Sequence, residues 1–272
     1  MAKKIGSQTI LLDRKVYIRE RACIVGEKEK NGPLGEFFDQ YEEAYFGEDT
    51  WEKAESKFLS STYDKLLTKL NLNDDAVDCI LGGDLINQCM SSAFGLKKTY
   101  RPYLGLFGAC STMAESILVG SLFIDGGGFD NVACITSSHF CAAEKQFRAP
   151  LELGVQRAPT SQWTVTGSGA VLLSWEEGTA AKVTEGTSEI VYGKKSKPFI
   201  TAVTPGKILD YNVTDANNMG AAMAPAAAST IMAHLSDTGR SPDYYDLIIT
   251  GDLGIIGGEL CKDIMENHGY LM

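Results

Sequence analysis

The 272-residue sequence predicts an α/β layered fold built from two similar halves, and three observations carry that expectation. A segment repeats: Ala54 to Leu85 aligns without gaps onto Ala222 to Leu253 at an offset of 168 residues, with ten of 32 positions identical. The runs VDCILGG and YDLIITG, one in each copy, are short and almost continuously apolar, as in strands of a parallel sheet covered on both faces. Strand-like and helix-like segments also alternate along the chain.

In chain order, each copy reads as a helix, a short polar turn and a buried strand. Ser61/Ser229 and Thr62/Thr230 match in the helix; Asp78/Asp246, Ile80/Ile248, Gly83/Gly251, Asp84/Asp252 and Leu85/Leu253 match around the strand. After the first copy come a second strand at PYLGLFG and a helix from Ser111 to Ile124, stopped by Gly126 to Gly128. A third strand follows at Asn131 to Ser137, then a TGSG turn and a fourth strand at Ala170 to Trp175. Roughly 80 residues separate Leu85 from the start of the second half near Ser168, whereas 19 follow Leu253. Residues 1–168 are therefore expected to form one half, and residues 169–272 a second half lacking its elbow strand, the next helix and the closing strands.

Composition narrows the function. A 44% apolar content supports a sizeable core, and the formal net charge of -10 repels nucleic acid phosphates and anionic membranes. Seven cysteines without regular spacing suggest neither a disulfide framework nor a zinc site, and point to a reducing compartment. No metal ligand set or cofactor is expected. Asp13, Arg14 and Lys15 interrupt the N-terminal apolar run before it reaches the length of a signal peptide core, and no stretch of about 18 apolar residues occurs. The chain is expected to be cytoplasmic, or attached to a membrane only through partners. Asn212-Val213-Thr214 matches a glycosylation acceptor that is silent in such a compartment.

The most informative segment is Tyr103 to Met113, YLGLFGACSTM, which reads as strand, tight turn and helix start. Such an elbow places Cys110 and Ser111 beside unpaired amides and the positive end of a helix dipole, an environment for a reactive thiol or a bound anion. Cys79 and Cys134 fall in apolar strands, Cys23 in ACIVG, Cys261 in a helical segment, and Cys89 and Cys141 in polar loops; all six read as structural. His139 follows its strand directly, at the edge where open α/β sheets place ligands, and Asp84 ends its own strand the same way, as a carboxylate that could orient an imidazole, be held by a hydroxyl, or simply be a solvated turn residue. His234 reads as a packing residue and His268 as a residue near a frayed end. Lys145, Arg148 and Arg157 lie in a long loop that could close over an anion or pair subunits, and Lys194, Lys195 and Lys197 read as a solvated run.

The order Val77-Asp78-Cys79-Ile80, Phe107-Gly108-Ala109-Cys110-Ser111, Ile135-Thr136-Ser137-Ser138 and Thr166-Gly167-Ser168-Gly169-Ala170 resembles the thiolase superfamily, in particular its ketosynthase III subgroup. That resemblance implies two α/β/α/β/α halves in five layers, with a cysteine on the first-half elbow. Within the superfamily, Gly82 to Gln88, Gly108 to Glu115 and Ser137 to Phe140 are most similar to the stage V sporulation protein AD family. The resemblance implies a protein that binds dipicolinic acid, with or without calcium, and supports its uptake into the forming spore. The implied ligand-binding residues are Asp84, Cys110, Ser111 and His139. The implied partners are other transport-complex proteins at the inner spore membrane and a second copy paired through the sheet edge near Asn131 to Ser138. The condensing enzymes carry a histidine where this chain has Gly251, so the acyl-transfer machinery is incomplete. Two alternatives stand: an acyltransferase forming a thioester on Cys110, and a scaffold that only docks other proteins.

Overall fold

The structure, a computed structural model, describes residues 2–147, 160, 162–177, 197–215 and 218–271. Arg148, Arg157, Lys194 and Lys195 lie outside them. The strands are β1 (Lys3–Ile5), β2 (Thr9–Gly26), β3 (Gln40–Glu42), β4 (Cys79–Gly83), β5 (Tyr103–Gly105), β6 (Asn131–Ser138), β7 (Gly167–Ser174) and β8 (Phe199–Val203). The helices are α1 (Glu27–Lys30), α2 (Trp51–Leu70), α3 (Met90–Leu96), α4 (Thr112–Asp125), α5 (Phe140–Phe147), α6 (Met219–Thr238) and α7 (Gly254–Asn267).

Two compact units emerge. The first contains residues 12–139 and 166–201. Its sheet runs β2-β7-β6-β4-β5, with β4 parallel to both β5 and β6 and β7 antiparallel to β6 and β2. Alternate residues of the central strands serve opposite faces. Ile80, Ala133, Ile135 and Leu172 join Leu59, Tyr63, Leu66 and Leu67 of α2, while Cys79, Leu81, Val132, Cys134 and Leu173 join Ile124 of α4 and its neighbours. Burial on both faces is why these strands read as unbroken apolar runs. The TGSG segment is not a turn: Gly167 to Gly169 already pair with Val25 to Cys23 and with Ser138 to Thr136. Strand β6 is paired on both sides, so it cannot offer the edge expected near Asn131 to Ser138; the sheet ends on β5.

The second unit contains residues 2–11, 140–165 and 202–272. Its core packs α6 on α7 through Ala224, Ala228, Leu235, Cys261 and Met265. Gly220 and Gly257 make the crossing close, since a Cβ on Gly220 would lie 2.9 Å from the Gly257 Cα and 2.4 Å from the Leu253 carbonyl oxygen. Lys145 lies in the last turn of α5 and Cys141 in its first half, helical where a loop was expected. Asp237 of α6 accepts backbone hydrogen bonds from Ser7, Gln8 and Thr9 at 2.7 to 2.8 Å, fastening the β1 turn. His234 does more than pack, because its ring nitrogens meet the hydroxyls of Thr204 and Tyr245.

The repeat is visible in atomic detail. Thr50 and Asn218, 168 residues apart, each cap a helix N-terminus by accepting from the amide three residues on. Asn71 and Gly239 end the two helices in the left-handed conformation, and 3-10 turns follow at Asp74–Ala76 and Pro242–Tyr244. The correspondence breaks at the next element. Residues 247–251 form no strand, and Leu247 and Ile249 are exposed, against the expectation of a buried strand. A strand exists by virtue of its ladder partners, and among the described residues none pairs with this segment.

Candidate functional site

The C-terminal ends of β4, β5 and β6 form one edge of the first unit's sheet. Register brings them level, with Gly82 opposite Gly105 and Gly83 opposite Thr136. The approach is close because small residues line it: a Cβ on Gly83 would lie 2.0 Å from the Leu106 carbonyl oxygen, and one on Gly82 would lie 1.7 Å from that of Ile135. This edge carries Asp84 after β4, the cysteine elbow after β5 and His139 after β6.

The elbow is as expected, with one added feature. Leu106 N–H still donates to Gly82 O at 2.8 Å, after which the chain turns. Ala109, a residue with a Cβ, takes φ of 47°, a costly left-handed conformation of the kind that collects at functional turns. The Ser111 hydroxyl donates to Gly108 O at 2.7 Å, and Thr112 Oγ1 accepts from Gly108 N and donates to Ala109 O. After one 3-10 turn over Ala109–Ser111, α4 begins with no side-chain cap. Cys110 and Ser111 are exposed at its start. Glu115 stands in the first helical turn, its Oε2 2.5 Å from where a Gly108 Cβ would be.

Asp84 and His139 are placed differently, being only 2% and 1% exposed. Asp84 Oδ1 accepts from Ile86 N at 2.9 Å; Oδ2 accepts from Ser92 N at 2.7 Å and from the Ser92 hydroxyl at 2.6 Å. Tyr103 OH in turn reaches Ser92 Oγ at 2.8 Å. The repeat explains half of this arrangement, because Asp252 Oδ1 accepts from Gly254 N at 2.9 Å in the same relative position. The shared Gly-Asp-Leu is therefore an Asx turn used twice, and the Ser92 clamp belongs to the first copy alone. The clamped loop holds Gln88 and Cys89 in left-handed conformations, and the Cys89 thiol donates to Leu106 O at 3.2 Å. Asp84 is thus linked through its loop to the strand that leads into the elbow.

His139 donates from Nε2 to the Ala44 carbonyl at 2.8 Å, while Nδ1 is buried without a partner. Burial holds its pKa below the ordinary histidine value, so the ring is neutral near pH 7. Cys89 lies in the loop before α3, as expected, and is buried there, which raises its thiol pKa. Among the described residues, no group of three or more His, Cys, Asp or Glu side chains converges on a metal position.

Sequence reasoning missed Glu55. This α2 residue is fully buried, with Oε1 accepting from the Ser137 hydroxyl at 3.1 Å and Oε2 without a hydrogen-bond partner. Desolvation, then the charge of Asp84, push its pKa to about 8. A signal was present in the repeat: the equivalent second-copy residue is Met223, so Glu55 is a carboxyl at an apolar helix position.

Comparison with known proteins shows the family and the fold. The family model described as Stage V sporulation protein AD matches residues 6–272. The Stage V sporulation protein AD of Bacillus subtilis (strain 168) is 40% identical over 269 residues, which cover 98% of this chain and 74% of that protein. Among solved structures, cerulenin-bound Xanthomonas campestris OleA superposes with a TM-score of 0.58 at 12% identity, covering 96% of this chain and 82% of that one. The 3-oxoacyl-(acyl carrier protein) synthase III, FabH, of Xanthomonas oryzae pv. oryzae gives 0.57 at 12% identity, covering 96% and 85%. These structural likenesses establish the thiolase-like fold.

Proposed function

The chain belongs to the stage V sporulation protein AD family, and from that premise we propose that it is a non-catalytic binder of dipicolinic acid that supports its uptake into the forming spore. The observation that carries this reading is the start of α4, where exposed Cys110 and Ser111 flank a helix N-terminus without a side-chain cap. Amides and dipole there favour an anion, by roughly 0.3–1 kcal/mol per charge at an exposed site. An aromatic dicarboxylate suits it. Asp84 is a positioning residue in this scheme: its carboxylate is spent on Ile86 and Ser92, and the loop it clamps supports the elbow.

Two further features favour binding over chemistry. With its Nε2–H donated to Ala44, His139 has Nδ1 as its basic nitrogen, and that atom is buried while Cys110 is exposed, so the imidazole is poorly placed as the general base that acyl transfer needs. The second-half segment carries Gly251 where the condensing enzymes place a histidine. Glu115 bears on the ligand's form, because a carboxylate in the first turn repels a free dianion more than a calcium chelate. Inner-membrane attachment would run through partner proteins, since no described helix is long and apolar enough to cross a membrane. A second copy would pair along β5.

Equilibrium dialysis of dipicolinate with and without calcium tests the reading. Saturable uptake that calcium strengthens, with Glu115→Gln narrowing the calcium effect several-fold, is the expected result. A mass increment on Cys110 after incubation with acyl-CoA, together with no dipicolinate uptake, would replace the binder with an acyltransferase.

A further inference from the structure

Glu55 and Asp84 are two buried carboxyls at the same end of the sheet, and their surroundings are unequal. Asp84 accepts from three donors supplied by Ile86 and Ser92. Glu55 has the Ser137 hydroxyl on Oε1 and no hydrogen bond on Oε2, because the nearby Ser91 hydroxyl, though it favours a charge on Glu55, is directed at the Glu52 carbonyl at 3.5 Å. One negative charge can be held in so dry a place by three donors, but a second beside it has no matching stabilisation. We propose that Glu55 is a positioning residue that must be a neutral carboxylic acid to hold α2 against the ends of β4 and β6, and that its ionisation sets the upper pH limit of the ligand-binding edge.

The groups around it account for the direction. Asp84 follows β4, Ser137 belongs to β6, Ser91 lies on α3 and Glu52 stands one turn earlier on α2. Asp84 and Glu52 oppose a charge on Glu55, the serine hydroxyls favour one, and desolvation outweighs all of them, placing the pKa at about 8. When the proton leaves for solvent, the new carboxylate repels Asp84, whose loop holds Cys89 against Leu106 and hence supports the elbow. The upper pH limit rests on the ligand reading above; the state of Glu55 does not.

The experiment therefore has two arms, both on the whole chain. In the first, urea unfolding of wild type and Glu55→Gln is compared from pH 5 to 9.5. A carboxyl whose folded pKa lies above the unfolded value of about 4.3 contributes stability that is full below that value and is lost as pH rises through the folded pKa. The advantage of Glu55→Gln over wild type should widen up to about pH 8 and then level off. A difference that is flat across this range overturns the proposal. Should the variant fail to fold, carbon-13 NMR of wild-type glutamate carboxyls decides the same point: one resonance titrating near pH 8 supports it, and all titrating below 6 overturns it.

In the second arm, dipicolinate affinity of wild type should fall above pH 8, by up to about tenfold per pH unit at full coupling, with Glu55→Gln binding as at pH 7 throughout. An alkaline fall that persists in Glu55→Gln overturns the role of Glu55. Failure of wild type to bind dipicolinate at any pH removes the ligand reading, and the first arm still decides the state of Glu55.

Discussion

Asp84 shows how a site residue can be found in the sequence for an incomplete reason. Its place at a strand end suggested a carboxylate at the ligand edge, one that a hydroxyl could hold, and the structure buries it under three hydrogen bonds, one of them from the Ser92 hydroxyl. Matching Asp84 to Asp252 exposed the shared Asx turn, but the Ser92 clamp depends on the fold of residues 86 to 92, which no local pattern announces. Replacing Asp84 by Ala leaves the Ile86 and Ser92 N–H groups without their acceptor in a dry site, while the Ser92 hydroxyl keeps the Cys89 carbonyl at 3.1 Å. The expected cost is about 3 kcal/mol in urea unfolding, with Asp84→Asn costing less because an amide oxygen still accepts. The elbow that carries Cys110 was legible, since small residues, strand and helix start coincide around it. Cys110→Ser should leave stability unchanged within about 0.5 kcal/mol, because the side chain is exposed.

At the scale of elements, the helices of the repeat were legible because their signals are local. Caps, apolar spacing and stop residues recur at the same offset, and α2 and α6 start and end 168 residues apart. Strands depend on neighbours, and that is where sequence reading fell short. The run LIITG looks like CILGG, yet among the described residues only the latter is paired. The long strand β2 went unread because charged Asp13, Arg14 and Lys15 divide it, although its partners β7 and β3 need only its backbone. Gly220→Ala should force α6 from α7 at Gly257 and cost about 1–3 kcal/mol, seen as a lower urea midpoint. Asp237 is held well below the usual carboxylate range by the amides of Ser7, Gln8 and Thr9. Its contribution is present above the unfolded aspartate pKa of about 3.9 and is lost as pH falls through the folded value. Asp237→Asn should speed hydrogen exchange at Ser7 to Thr9 near pH 7, leaving α2 and β6 protected.

For the whole molecule, one sheet edge gathers an exposed thiol and a bare helix N-terminus in front, with a clamped carboxylate, a neutral imidazole and a buried acid behind. The front was legible because an elbow is a local motif. The back was not, because Glu55, Ser92 and Ala44 reach the site only when α2, α3 and the 43–50 loop fold onto the sheet. In the proposed reading, ligand capture and elbow support fall to different residues. Calorimetric titration of dipicolinic acid into the protein, with Cys110→Ser and Asp84→Ala alongside, tests this most directly. Saturable heat that Cys110→Ser retains and Asp84→Ala weakens at least about tenfold, with both variants folded, is the expected result. No heat from any form, or binding lost with the thiol alone, would contradict it.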